Sequence, residues 1–409
     1  MVPGAAGQIP HRAGGSGSLA WHYVAIRELI DQADQPADSV GADSPVRFVD
    51  LRAQTESLRP ALNAAIMAVL DRGDFVLGDE VDQLEREFAA YCGVRHAVGV
   101  DSGFSALELA LRAAGIGPRD EVITQANTFI ATAGAIMAVG ARPVLTDCDR
   151  RGAMSPAAVL AAITPRTRAI IPVHLFGRIA EMDDILTVAA NARATVIEDA
   201  CQAHGAVLNQ RRAGSFGLAG AFSFYPAKNL GALGDGGMLV TDSAEIADAV
   251  RVLRHYGQRV KYEHLATPLN RRLDTVQAAV LRVKLRHLDR WNRRRRELAD
   301  AYRRELEGTA VVLPIPGEAG RHVYHLFVIQ VEQRDALRQA LADAGIETGI
   351  HYPIPLHQQP ALRHLGYASG AFPNTEYLAA RMLSLPMYPE LPLEDVERVA
   401  ATVRRHLKR

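Results

Sequence analysis

Between His96 and Thr241, short β-branched or apolar runs alternate with stretches whose apolar residues recur every three or four positions, and this alternation constrains the fold more than any other feature of the chain. The strand-like runs are 96–100, 120–124, 142–146, 169–173, 194–198, 219–224 and 238–241. Helical spacing lies among them around 106–114, 129–139, 155–163 and 182–190. Strands that alternate with helices of this length are long enough for crossover connections, so the expected class is α/β, with a mainly parallel seven-stranded sheet covered on both faces.

Helical patterns at 58–70 and 80–91 precede this block, and one at 243–253 closes it. Beyond lie a long helical pattern, 278–306, and a smaller α+β unit with strand-like 322–329, helical 334–344, a turn and strand at 345–350, and a terminal amphipathic helix. The expected organisation is an N-terminal extension over 1–45, a large domain over 46–265, and a linking helix with a small domain over 266–409. The extension is rich in Gly, Ala, Ser, Pro and Asp and carries one short helical pattern near Trp21–Ile30, a composition suited to loose packing.

Lys plus Arg and Asp plus Glu number 46 each, which gives no charge argument for nucleic acid or a membrane surface. Cys92, Cys148 and Cys201 have neither disulfide-framework nor metal-ligand spacing, and no apolar run is long enough to span a bilayer. The expectation is a cytoplasmic protein without a metal. Arg293–Arg296 falls inside a helical period and reads as a solvated face.

Chemistry concentrates in 194–240. The run 194–198 delivers Asp199 to the carboxyl end of a buried strand, where open α/β sheets bind ligands. The next run ends in Ser223 and Tyr225, then Lys228, and a turn with Gly231, Gly234, Gly236 and Gly237 leads into the last strand. A lysine beside a Gly-rich backbone is a Schiff-base candidate, and an acid opposite a pyridine nitrogen is the usual partner of pyridoxal phosphate. A surface lysine and a helix-capping aspartate are the alternative for the same residues. Upstream, Gly103, Phe104 and Ser105 open a helix whose free N–H groups suit a phosphate, although a serine there also serves as a plain cap.

The blocks IEDACQAHGA, SFYPAKNLGALGDGG, Asn270-Arg271-Arg272-Leu273-Asp274 and HYPIPLHQQPAL, in this order, resemble the DegT/DnrJ/EryC1/StrS aminotransferases. The resemblance runs from about Val46 to the C-terminus. It implies the fold-type I, aspartate aminotransferase-like architecture of pyridoxal 5'-phosphate enzymes, with pyridoxamine 5'-phosphate as the amino-carrying form. By resemblance, Lys228 binds the cofactor and moves protons, Asp199 faces the ring nitrogen, and Gln202 bonds the phenolic oxygen. Phe129 stacks on the ring, although by itself it could be a core phenylalanine. Gly103, Phe104, Ser105 and Ser223 hold the phosphate, with the hydroxyl common at the Phe104 position absent here. Asn270 reaches the cofactor phosphate of a partner subunit, which implies a homodimer with shared sites. Phe75, Tyr225, His351, Tyr352 and His357 lie toward the sugar nucleotide, although the prolines and rings of the last three could equally be packing. His204 is a candidate for orienting Asp199 or a neighbour.

The implied reaction moves an amino group from L-glutamate, with glutamine the alternative donor, to a nucleotide-linked keto-6-deoxysugar, with a dTDP-3-keto-6-deoxyhexose the expected acceptor, in aminosugar biosynthesis of the kind that feeds antibiotics. Amination at carbon 4, a sugar dehydratase or deaminase, and a non-catalytic regulatory relative are the alternatives.

Overall fold

The computed structural model describes residues 44–317 and 320–408, so the extension expected over 1–45, with its short helix, lies outside the described residues except for its last two. Helix α1 (Leu51–Arg72) starts where the Asp50 carboxylate accepts from the N–H groups of Arg52 and Ala53, at 2.9 and 3.0 Å, and ends at Gly73 with φ 75°. Helix α2 (Asp79–Cys92) leads into β1 (His96–Val100) and α3 (Gly103–Ala113). Then follow β2 (Glu121–Gln125), α4 (Ile130–Ala138), β3 (Arg142–Thr146), α5 (Pro156–Ala162), β4 (Thr167–Ile171), α6 (Met182–Ala192), β5 (Thr195–Asp199), β6 (Ala219–Ser223), β7 (Gly237–Thr241) and α7 (Ala244–Arg254).

These strands form one seven-stranded sheet in the order β1-β7-β6-β5-β4-β2-β3. Only β7 runs against the others: it pairs antiparallel with both β1 and β6, and every other pairing is parallel. The two-residue period of the strands divides the core. Ile170, Val196, Phe222, Met238 and Val240 pack on one side, and Ala169, Ile171, Ile197, Ala221 and Leu239 on the other. Burying each large aliphatic side chain here contributes about 1.5–3 kcal/mol, and the two layers together fix the strand register.

The long helical pattern 278–306 is two helices, α8 (Thr275–Leu285) and α9 (Leu288–Leu306), broken at Arg286 and His287. The break contains neither Gly nor Pro, so periodicity alone runs through it. Helix α8 packs with α1 through Leu58, Leu62, Val69, Val280 and Val283. Helix α9 contributes Leu298, Tyr302 and Leu306 to the second core, with β8 (Phe327–Gln330), α10 (Arg334–Asp343), β9 (Met382–Leu385) and α12 (Leu393–Leu407). Helix α11 (Pro373–Arg381) precedes β9, and β8 and β9 pair antiparallel.

The strand expected over 322–329 is displaced to Phe327–Gln330, and 345–350 forms isolated bridges in place of a strand. One of these bridges joins Val46 to Ile346, and Val46 is buried in the second core. The first described residues are therefore packed on the second core before the chain enters α1.

Candidate active site

The sheet brings the carboxyl ends of β1, β6 and β5 to the same edge, since β1 and β6 both run against β7 and β5 runs parallel to β6. This is where the crevice of an open α/β sheet lies. Asp199, the last residue of β5, is buried: Thr132 Oγ1 on α4 donates to its Oδ2 at 2.7 Å, and the Cys201 N–H donates to its Oδ1 at 3.3 Å. Its neighbour Glu198 faces the other way. That carboxylate accepts from the backbone N–H groups of Gly214, Phe216 and Gly217 at 2.6–2.8 Å and meets His174 Nε2 at 2.9 Å. The alternation of side chains along a strand thus gives adjacent acids separate duties, one in the cleft and one beneath it.

Lys228 follows β6 in a turn closed by its own N–H donating to the Tyr225 carbonyl at 2.8 Å. Phe224 N–H donates to Gly236 O at 2.7 Å, which returns the Gly-rich segment to β7. Desolvation pushes the Lys228 amine below its ordinary value, opposed by Cys201 and Asp199. A lysine so placed spends more of its time as the neutral, nucleophilic base.

At the carboxyl end of β1, the Ser102 hydroxyl caps α3 by accepting from Ser105 N–H at 3.1 Å and lies 3.0 Å from the Ser105 hydroxyl. The first N–H groups of the helix, at Gly103 and Phe104, have no partner within it. A methyl group at Gly103 would stand 2.6 Å from Cys201 Sγ and 2.8 Å from Ser223 Cβ, so only glycine lets this turn meet the end of β6. Asp101 Oδ1 is buried without a hydrogen-bond partner, and burial raises the pKa of that carboxyl against the pull of Ser105 and Arg271. The Phe104 ring lies against Gly134 on α4, where a methyl would come within 2.9 Å of it. The one group Phe104 has to offer an anion at this turn is its backbone N–H.

Phe129 precedes α4 with half its surface open, and its ring centroid is 5.5 Å from that of Tyr352. Gln202 ties the same corner together: Nε2 donates to the Tyr352 hydroxyl at 3.1 Å, and Oε1 accepts from Phe176 N–H at 2.6 Å. His351 Nδ1 is 2.9 Å from the Ser384 hydroxyl and its ring stacks on Phe48. Desolvation, with the charge of Lys228 behind it, lowers its pKa to about 4. The structure thus gathers Asp199, Gln202, Phe129 and Tyr352 with Lys228 and His351.

Other residues singled out by sequence fall elsewhere. His357 is buried with Nε2 2.9 Å from Glu376 and its ring edge on Phe372, so it braces the loop from within. His204 does not orient Asp199; that duty falls to Thr132 and the Cys201 N–H. Its ring packs beside Phe222 and Phe224, neither nitrogen makes a well-formed hydrogen bond, and burial lowers its pKa to about 3. Asn270, Tyr225 and Phe75 are exposed on the described chain. Asn270 is bridged to His255, beside a hairpin in which Gln258–Val260 pairs with Glu263–His264. Thr132, whose only sequence signal is its place one helical turn after Phe129, and Asn229, whose partners Asn292 and Val323 are distant in sequence, do not stand out in the sequence.

Among the described residues no group of three or more His, Cys, Asp or Glu side chains is arranged to hold a metal, and no helix is long and apolar enough to cross a membrane. A buried acid, a lysine of lowered basicity, an open aromatic face and a hydroxyl-lined helix N-terminus together fit a phosphorylated pyridine.

Comparison with known proteins agrees with this geometry. The DegT/DnrJ/EryC1/StrS aminotransferase family model matches residues 56–404. The dTDP-3-amino-3,4,6-trideoxy-alpha-D-glucose transaminase of Streptomyces venezuelae is 47% identical over 371 residues, covering 90% of this chain and 98% of that protein. The UDP-N-acetyl-3-dehydro-alpha-D-glucosamine 3-aminotransferase of Acidithiobacillus ferrooxidans is 48% identical over 366 residues, 89% of this chain and 99% of the relative. Among solved structures, S. venezuelae DesV in complex with a ketimine intermediate superposes with a TM-score of 0.88 at 47% identity, covering 90% of this chain and 99% of that one. The chain belongs to the DegT/DnrJ/EryC1/StrS aminotransferase family.

Proposed function

We propose that this protein transfers an amino group from L-glutamate to carbon 3 of a dTDP-linked 3-keto-6-deoxyhexose, as a cytoplasmic homodimer serving aminosugar biosynthesis. The coarser statement, a nucleotide-sugar aminotransferase that uses pyridoxal phosphate, follows from the family. The cofactor, when bound, supplies an electron sink for the carbanion formed at the amine-bearing carbon.

The chain's own residues supply the rest. Asp199, held by Thr132 and the Cys201 N–H, would keep a proton on the ring nitrogen. Ser105, Ser223 and the N–H groups at the start of α3 would hold the phosphate, joined by Asn270 of the second copy. Phe129 would cover the ring face and Gln202 the phenolic oxygen. Lys228 Nζ would bind the cofactor covalently, then receive and return the proton that moves between the two carbons flanking the nitrogen. Phe75, Tyr225, His351 and Tyr352 would line the sugar side.

The choice of carbon 3 is carried by one observation: relatives 47% and 48% identical over nearly their full length are named for 3-amino products or 3-dehydro substrates. The two differ in the nucleotide, dTDP against UDP. The deciding experiment offers dTDP-3-keto-6-deoxyhexose, its 4-keto isomer and a UDP-3-keto-N-acetylhexosamine, each with L-glutamate. Preferred turnover of the dTDP-3-keto sugar is expected; preference for the 4-keto isomer or for the UDP sugar overturns the corresponding part of the assignment.

A further inference from the structure

Behind Lys228 lies a buried polar web that the reaction described so far does not use. Asn229, the next residue, is almost fully buried, as are Asn292 on α9, and His325 just before β8 is nearly so. The atoms of this web can be assigned by satisfying each group in turn. The His204 carbonyl can only accept, so the Asn292 group 2.8 Å from it is Nδ2, and Asn292 Oδ1 must face Asn229. Asn229 therefore presents Nδ2 to Asn292 Oδ1 at 2.9 Å, and the same Nδ2 donates to the Val323 carbonyl at 3.1 Å. Its Oδ1 is left 3.3 Å from His325 Nδ1, and an amide oxygen can only accept. His325 Nδ1 must carry the proton, which leaves Nε2 as a lone-pair acceptor.

The web joins three parts of the molecule: the lysine turn, the linking helix, and the entry to the small domain. One turn along α9 from Asn292, the buried Arg295 Nη1 donates to the carbonyls of Tyr324, His325 and Met387 at 3.1, 3.4 and 2.9 Å. That grip holds the backbone of His325 still while Asn229 holds its ring. Burial and the charge of Lys228 also keep His325 neutral well below its usual range, as the Nδ1–H form requires.

We propose that Asn229 and His325 are a positioning pair for Lys228, in which the Asn229 carboxamide locks His325 as the neutral Nδ1–H tautomer and so fixes the lysine turn against the small domain. This rests on the reading of Lys228 as the cofactor-binding lysine, but the tautomer does not depend on any substrate.

The test has two parts. In cofactor-free protein labelled with 15N-histidine, a long-range proton–nitrogen spectrum at neutral pH should show His325 protonated at Nδ1 and bare at Nε2. Its signal is identified by its loss in His325→Asn. An Nε2–H form or an imidazolium overturns the proposal, whatever the enzyme turns out to aminate. In the loaded enzyme, His325→Asn keeps a donor at the Nδ1 position whereas His325→Leu removes it. The leucine variant should lose roughly ten- to a hundredfold in the rate of reaction with L-glutamate, with KM little changed, and the asparagine variant should recover most of that loss. Equal rates in the two variants, or a leucine variant as fast as the natural protein, overturn the positioning role. Should the leucine variant fail to fold, the spectrum and His325→Asn still decide the matter.

Discussion

Thr132 and Asp199 sit 67 positions apart and are joined by a 2.7 Å hydrogen bond in which the threonine hydroxyl donates to Oδ2 of the acid. Both are buried, so neither water nor another side chain readily replaces the bond. It fixes which way the carboxylate is turned toward the cleft, leaving Oδ1 with the Cys201 N–H.

Thr132→Val keeps the shape and removes the donor. A hydrogen bond to a charged group contributes about 1.5–3 kcal/mol, so the rate of reaction with L-glutamate should fall roughly ten- to a hundredfold. Single-turnover mixing measures it, with far-ultraviolet circular dichroism as the control for folding. An unchanged rate would show that the orientation of Asp199 does not depend on α4.

His204 makes stability depend on pH. Its ordinary pKa is 6.5 and burial lowers it to about 3 in the folded protein. Between those values the unfolded chain binds a proton that the native chain refuses, so the contribution is intact above about pH 6.5 and is lost progressively as pH falls toward 3. At pH 5 the loss from this one residue is about 2 kcal/mol. Asp101 and Glu390, whose partly buried carboxyls are raised in pKa by desolvation, act in the opposite direction, so the comparison is made against a variant. His204→Leu should gain urea resistance relative to the natural protein as pH drops from 7 to 5. Parallel pH curves for the two would contradict the burial of a neutral imidazole.

The hairpin beside Asn270 carries Tyr262 at 82%, Val260 at 61% and Leu265 at 55% exposure. Val260 and Tyr262 stand at its tip and Leu265 at its base, where the Leu265 N–H donates to Gly257 O, and exposed apolar side chains along a hairpin suit a face that another copy covers. Tyr262→Asp should shift sedimentation velocity profiles toward monomer and weaken cofactor retention with it, because the proposed contact of Asn270 with the partner's phosphate would be lost. A variant that stays dimeric at low protein concentration would remove this hairpin from the interface.

The sheet was legible because its strands are buried on both faces, and such runs stand out between helical periods. The shift of one strand to Phe327–Gln330 was not, since the apolar residues before it are held by Arg295 and by turns whose partners lie far away in sequence. The placement of Asp199 at the end of β5 and of Lys228 in the turn after β6 was legible from local wording. Thr132, Asn229 and His325 were not, because a hydrogen bond between distant segments leaves no periodicity. His357 misled for the converse reason: a loop crowded with rings reads as a binding surface, and here Glu376 and Phe372 turn that imidazole inward.

On the proposed function, Lys228 holds pyridoxal phosphate and L-glutamate converts it to the amino form. The visible absorption spectrum of the purified, cofactor-loaded protein, taken before and after adding L-glutamate, decides both points. A visible band from the lysine-linked cofactor, absent in Lys228→Ala, is expected to give way to the pyridoxamine phosphate band when glutamate is added. A band that persists unchanged in excess glutamate, or one that survives in Lys228→Ala, would contradict it.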